Sequence, residues 1–365
     1  MSTSSGAEPV RPALMRAAVW TGPGAVAVRD VERPLAKDGD VLVRVEYGGI
    51  CGTDLAILAG AHPRAEAPLI LGHEIVGTVE RPSAGGGPPA GTRVAVEPLI
   101  ACDRCRACRD GARHVCRNLE LYGIDAPGGL AEFVAVPVDR VLPVAPRVEA
   151  RLAAWAEPLA VAVHAVGRAE PAAGATVLVF GGGPIGILTA LVARRNGAAR
   201  VVVVEPKPAR RATAERCGFE IAPACLDPVA WFRSTNDGEG ADVVFDAAGH
   251  PAVAAVLPAA ARETGSIVLV AVYKTPPPVD LRALCFAEQR IIGARVYSRR
   301  DFAEAVSLLA GDELGLDRLP VAVLPLESVA EAFELAQAAD APIKVLLRTA
   351  GAEDGPAKNL GVSAR

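Results

Sequence analysis

The sequence predicts an α/β chain of two domains, an antiparallel β domain followed by a doubly wound parallel sheet. Three observations carry this. The 365 residues suffice for two hydrophobic cores at roughly 150 residues per domain. From Arg16 to about Pro143, short β-rich runs are separated by Gly and Pro turns, as in an antiparallel domain. Near Glu149 the apolar period becomes helical, and Val/Ile-rich runs then alternate with helical stretches, the pattern of parallel strands joined by crossover helices.

In the first part, Val41–Tyr47, Ile75–Val79 and Arg93–Val96 read as strands, and Glu149–Ala169 reads as a helix. Thr176–Phe180, Arg200–Val204, Asp242–Phe245, Ser266–Val272 and Arg290–Val296 supply the parallel sheet. Beyond Asp301, Phe302–Leu309 and Val329–Ala338 read as amphipathic helices and Ile343–Leu347 as a strand; these segments are expected to return to the first domain. The expected boundaries are 15–168 with 300–350 for the first domain and 169–299 for the second, leaving 1–14 and 351–365 as disordered tails. The charge-free run Pro171–Ala193 matches the about 20 residues of a membrane span. Gly181-Gly182-Gly183-Pro184 would break such a helix at its middle, so the run reads as buried structure of a soluble fold.

Composition narrows the function. With 51% hydrophobic, 22% charged and 4% aromatic residues, the core is built from Ala, Val and Leu. Thirty-eight basic against 42 acidic residues give a formal charge of −4, without the basic block that tracks a phosphate backbone or an anionic lipid surface. Nucleic acid and membrane are therefore not expected as partners. The first fourteen residues lack the apolar stretch of an export signal, which points to the cytoplasm. In that reducing compartment the eight cysteines are not expected to pair as disulfides.

Four of them, Cys102, Cys105, Cys108 and Cys116, follow the spacing Cys-x2-Cys-x2-Cys-x7-Cys, which folds one short loop around a closed tetrahedral thiolate site of structural type. The rival is an iron–sulfur cluster. The final spacing and the missing proline after Cys116 depart from the bacterial ferredoxin run, so zinc is favoured. Cys217, Cys225 and Cys285 read as packing residues.

The segment Gly181-Gly182-Gly183-Pro184-Ile185-Gly186 places Gly-x-Gly-x-x-Gly between an apolar strand and a helix. There a pyrophosphate can approach the backbone and sit over the helix N-terminus. Glu205 ends the next strand, 19 residues after Gly186, at the spacing of a carboxylate that accepts the adenosine ribose hydroxyls. It repels a 2′-phosphate, so NAD is favoured over NADP, although Lys207, Arg210 and Arg211 follow closely. Cys51 in Gly-Ile-Cys-Gly-Thr-Asp, His73 22 residues later in Gly-His-Glu, and Glu157 in Glu-Pro-Leu offer three donors of different types, a set that leaves a zinc position open to substrate. They read equally well as a core thiol, a satisfied histidine and a helix N-terminal charge.

Taken together and in this order, these motifs resemble the zinc-dependent medium-chain dehydrogenases over about Met15 to Arg348. Glu157-Pro-Leu is more similar to the polyol branch, the sorbitol, threonine and butanediol dehydrogenases, than to the alcohol dehydrogenases with a cysteine there. The resemblance implies a GroES-like β domain, a Rossmann cofactor domain, an interdomain cleft and a homodimer or homotetramer. It also implies catalytic zinc on Cys51, His73 and Glu157, with Glu74 as a nearby or exchanging ligand, Asp54 bonded to the zinc-bound imidazole and Thr53 relaying the substrate proton. With structural zinc on the four cysteines, two zinc ions per chain are expected. The chain departs from many relatives at Leu55-Ala56, where a proton-passing histidine would stand; His62 is near in sequence. His164, seven residues after Glu157, is expected to be a core histidine.

The function implied is NAD-linked oxidation of a secondary alcohol, a polyol, cyclitol or hydroxy-ketone pair, by hydride transfer. The alternatives are a zinc-free reductase of alkenes or quinones on the same fold and a non-catalytic dinucleotide- or zinc-binding protein.

Overall fold

A computed structural model describes residues 13–349 except 171–172, 226 and 312. The expected tails lie outside these residues, save Ala13 and Leu14; Leu14 opens the first strand, Leu14–Gly22. The elements that build the site are strands β1 (Asp40–Ile50), β2 (Glu74–Arg81), β3 (Thr176–Phe180), β4 (Arg200–Val204), β5 (Ala241–Asp246), β6 (Ala261–Leu269), β7 (Arg290–Gly293) and β8 (Lys344–Arg348), and helices α1 (Gly52–Leu58), α2 (Ala156–Ala169), α3 (Pro184–Arg195) and α4 (Arg299–Leu308).

β1 is the centre of a seven-stranded sheet, between β2 and β8 and antiparallel to both. Its alternation buries Val41, Val43 and Val45 in one apolar cluster with Val79, Val94, Val96 and Val136, as the two-residue period of a strand demands. β8 enters this sheet from the far end of the chain, and Val321–Pro325 pairs with it in parallel.

The second sheet has six strands, all parallel, in the order Glu220–Ile221, β4, β3, β5, β6, β7. The order reverses between β3 and β5, the place where a doubly wound sheet opens a crevice at its carboxyl ends. One core cluster contains residues of α2, α3, α4 and both sheets, including Trp155, Leu159, Val179, Phe302 and Leu346.

Three of the departures from the expected spans have a local cause in the chain. The helix expected over Glu149–Ala169 is split into Ala150–Ala153 and α2. Pro158 has no amide to donate to Ala154, so the ladder is interrupted and restarts with Glu157 in its first turn. β6 ends at Leu269 because the next two amides, of Val270 and Ala271, both turn to the Asp246 carbonyl. β7 ends at Gly293, and Val296 with φ 42° turns the chain out of the sheet before Tyr297.

Candidate active site and metal centres

Sheet register assembles the first cluster. Glu74 pairs with Gly49 on one side of β1, and Val345 pairs with Ile50 on the other, so the residues around Cys51 receive a carboxylate and a lysine from two neighbouring strands. A Cβ at Gly49 would fall on the Glu74 carboxylate and Lys344 Cε, which is why only glycine allows the two to meet there. Lys344 Nζ contacts the Glu74 carboxylate, and both side chains are buried. The donor atoms of Cys51, His73 and Glu74 lie within 4.8 Å of one another.

Asp54 holds this arrangement from the first turn of α1. Fully buried, it accepts the Cys51 amide at Oδ2 (2.8 Å) and the Gly72 amide at Oδ1 (3.2 Å), and Oδ1 lies 3.9 Å from His73 Nδ1. Burial pushes its carboxyl above the usual carboxylate range. Burial works the other way on His73, yet Asp54 and Cys51 hold the imidazole well above its usual value. Thr53 Oγ1 stands 3.9 Å from Cys51 Sγ.

Glu157 is buried in the first turn of α2. Burial raises its carboxyl to about 7, against the influence of His73. It is not part of the close grouping of Cys51, His73 and Glu74. The reason is register: Glu74 is fixed opposite Gly49 by the β1–β2 ladder, whereas Glu157 arrives on a helix from outside the sheet. Sulfur, imidazole and carboxylate donors suit zinc, and the buried His73 Nδ1 has no hydrogen-bond partner. Sequence reasoning missed Lys344, although a lysine inside the apolar run Ile343–Leu347 is the signal of a buried charge that needs a partner.

The second cluster lies between the paired strands Leu99–Ile100 and Glu120–Leu121. The sulfurs of Cys102, Cys105, Cys108 and Cys116 lie within 4.8 Å of one another, and Cys116 Sγ accepts the Cys102 amide at 3.3 Å. The Arg117 and Cys108 amides draw Cys105 down to about 6, while desolvation and its sister thiols push Cys108 up to about 12. Four protein thiols with no further donor fit a closed, structural zinc site. Cys217, Cys225 and Cys285 stand outside both groups.

The Gly-rich segment follows β3, and α3 starts at Pro184 without a side-chain cap, which leaves its first amides free for a pyrophosphate. A Cβ at Gly186 would fall on the Gly181 carbonyl oxygen; the loop closes on Gly183 and Ile185 only because none is there. Glu205 is buried at the end of the crevice and accepts the Gly182 amide and the Lys207 amide, each at 2.8 Å. Arg210 Nη1 stands 3.9 Å from it. Arg211 is committed to the carbonyls of Glu205 and Ala222, so it does not stand ready for a 2′-phosphate as its sequence position suggests. Asp246, which the sequence reading passed over, is fully buried at the switch point; it caps the Ala248 and Gly249 amides and accepts the Tyr273 hydroxyl at 2.5 Å.

His62 Nδ1 accepts the Arg64 and Ala65 amides at 3.4 and 3.3 Å, and burial and Arg64 lower its pKa. His164 is not merely packed: its Nδ1 lies 2.8 Å from Asp301 Oδ2.

Comparison with known proteins places this geometry. Residues 37–146 match the alcohol dehydrogenase GroES-like domain and residues 184–311 the zinc-binding dehydrogenase model. The 2-dehydro-3-deoxy-L-galactonate 5-dehydrogenase of Pseudoalteromonas atlantica is 38% identical over 81% of this chain and 87% of its own length. The L-galactonate-5-dehydrogenase of Escherichia coli is 33% identical over 83% and 89%. A Sinorhizobium meliloti structure assigned as a zinc-binding dehydrogenase and bound to NADP superposes with a TM-score of 0.87 at 30% identity, over 92% of this chain and 99% of that one.

Proposed function

We propose that this chain, which belongs to the zinc-binding medium-chain alcohol dehydrogenase family, oxidises a secondary alcohol of a polyhydroxylated substrate by hydride transfer to NAD. The chain is a dehydrogenase whose cofactors are zinc and a nicotinamide dinucleotide. The observation that carries the substrate reading is the convergence of Cys51, His73 and Glu74, three buried donors of different types beside the Thr53 hydroxyl. Two relatives are named as 5-dehydrogenases of L-galactonate and its 2-dehydro-3-deoxy derivative. Sugar acids therefore head the candidates, with polyols, cyclitols and hydroxy-ketone pairs behind them.

Cys51, His73 and Glu74 would hold the catalytic zinc, Glu157 being the adjacent carboxylate that can exchange with Glu74, and the four cysteines the structural one. When bound, zinc supplies Lewis-acid polarisation of the substrate hydroxyl and the nicotinamide accepts hydride. Thr53 takes the hydroxyl proton by hydrogen-bond exchange. Asp54 keeps Cys51 and His73 in place through the Cys51 and Gly72 amides. Ala56 offers no titratable group, so the proton would pass to solvent directly or through His62. Gly181, Gly183, Pro184, Ile185 and Gly186 would hold the pyrophosphate and Glu205 the adenosine ribose, with Arg210 beside it.

The deciding experiment follows NADH formation across sugar acids, sugar alcohols, cyclitols, diols and 3-hydroxy amino acids, before and after dialysis against a chelator. Turnover that chelation abolishes while cofactor affinity survives supports this reading. Turnover indifferent to chelation favours a zinc-free alkene or quinone reductase, and cofactor binding without turnover a non-catalytic role. The partner is a small-molecule alcohol, and a homodimer or homotetramer is further proposed. β7 is an edge strand with Ile291 exposed, and Leu281, Phe286 and Val272 nearby in the chain are exposed too, an edge that a second copy would cover. No helix among the described residues is long and apolar enough to cross a membrane, and the cytoplasm, where thiols stay reduced, is the location proposed.

A further inference from the structure

We propose that Tyr273 is a positioning residue for the nicotinamide half of the dinucleotide: by donating to the buried Asp246 carboxylate, it fastens the segment after β6 to the turn after β5 and fixes that side of the crevice. The proposal deepens the functional reading above and rests on its dinucleotide site. The side concerned follows from the order of the strands. A dinucleotide crosses a doubly wound sheet at its switch point, outside the carboxyl ends of the strands. Glu205, just past β4, would hold the adenosine ribose, and the Gly181–Gly186 turn after β3 would hold the pyrophosphate. The order β4, β3, β5, β6 then leaves the nicotinamide half to the ends of β5 and β6. Asp246 is the last residue of β5, and Tyr273 follows β6 by four residues.

These strand ends and the Gly-rich turn form one continuous wall. The Ala247 amide donates to the Phe180 carbonyl at 2.9 Å, and a Cβ on Gly181 would come within 3.1 Å of the Ala247 backbone. The turn after β5 therefore lies directly against the pyrophosphate turn. On its other side it meets the segment after β6. Gly249 has φ 63°, and a Cβ there would come within 3.0 Å of the Ala271 Cβ, so glycine supplies both the left-handed turn and the close approach.

Asp246 joins the two segments. Its carbonyl accepts the Val270 and Ala271 amides at 3.0 and 2.9 Å, and its Oδ1 accepts the Ala248 and Gly249 amides, each at 3.0 Å. The Oδ1 bonds are local and shape the turn itself. The other oxygen, Oδ2, accepts the Tyr273 hydroxyl at 2.5 Å across 27 residues of chain. A carboxylate this deeply buried needs such a donor, and a bond to an ionised acceptor is stronger than one between neutral groups. Residues 271–280 form no helix or strand, so beyond Ala271 the phenol is what ties this segment down to the sheet.

Tyr273→Phe keeps the ring and removes the donor. AMP carries the adenosine end alone and NADH carries both halves, so the two ligands separate the two ends of the site. In the zinc-loaded protein the Kd for NADH, read by fluorescence, should rise roughly threefold to thirtyfold, as expected for one lost bond to a charged group. The Kd for AMP, read by calorimetry, should stay within roughly twofold of the parent, and the emission gain of bound NADH should shrink. A parental Kd for NADH overturns the proposal. So does an equal loss of AMP and NADH, the mark of general damage to the fold. A parent that binds neither ligand overturns the functional reading and this proposal together, whereas a parent that binds both and a variant that matches it overturn this proposal alone.

Discussion

Asp54→Asn tests how far the proposed zinc cluster depends on one buried carboxylate. The side chain is fully buried and accepts two donors, the Cys51 and Gly72 amides, at 2.8 and 3.2 Å, with His73 Nδ1 3.9 Å from it. Asparagine has the same shape but one acceptor oxygen, and its NH2 group must face a donor. One orphaned buried donor costs about 1–3 kcal/mol. The surviving bond loses its charge assistance and about half its strength, roughly another 1 kcal/mol. The expected loss is thus about 2–4 kcal/mol in a urea titration of the zinc-loaded protein. Zinc held by His73 should pass to a chromophoric chelator roughly tenfold to a hundredfold more readily, since the partner that orients a metal ligand is lost. Asp54→Ala should cost more, because both amides are then orphaned. A variant within about 0.5 kcal/mol of the parent, with unchanged zinc transfer, would refute the reasoning and leave His73 oriented by packing alone.

Elemental analysis should find two zinc ions per chain; Cys108→Ser should lose one and melt early, whereas Cys51→Ser should abolish turnover with little change in melting temperature. NAD should be used at least roughly tenfold more efficiently than NADP, a difference of ~1.4 kcal/mol, and Glu205→Ser should narrow the gap through Arg210 and Lys207, Arg211 being committed to carbonyls; equal kinetics in the parent would sink this. Thr53→Val should be nearly inactive. His62→Ala should cost about a hundredfold near neutral pH with partial rescue by imidazole if His62 is the relay, and an unchanged pH profile assigns the proton to the direct route to solvent. Burial opposes ionisation of Asp301, but its bonds to His164 and Ser298 hold its pKa below the usual value. The stability this adds is present above the ordinary aspartate range and lost as pH falls through the lower folded value, and acid titration of Asp301→Asn should lack that step.

Much of this molecule is legible in the sequence where the relevant residues are neighbours along the chain. The Gly181–Gly186 turn, the four-cysteine loop and the continuous apolar runs of β3 and β4 each lie within one or two consecutive elements, so spacing and composition specify their geometry directly. The cluster of Cys51, His73 and Glu74 is different in kind. Its members come from the end of β1 and the start of β2, with Lys344 reaching in from β8 at the other end of the chain. Which carboxylate stands nearest Cys51 and His73 follows from the pairing of Glu74 with Gly49, and a one-residue slip of that ladder would carry Glu74 to the opposite face. The commitment of Arg211 to two carbonyls is likewise an outcome of packing. Sequence spacing names the donor types that zinc and a dinucleotide require; only long-range register and helix docking decide which of two glutamates, and which of three basic residues, stands within reach, because those contacts are made between segments whose separation along the chain carries no distance information.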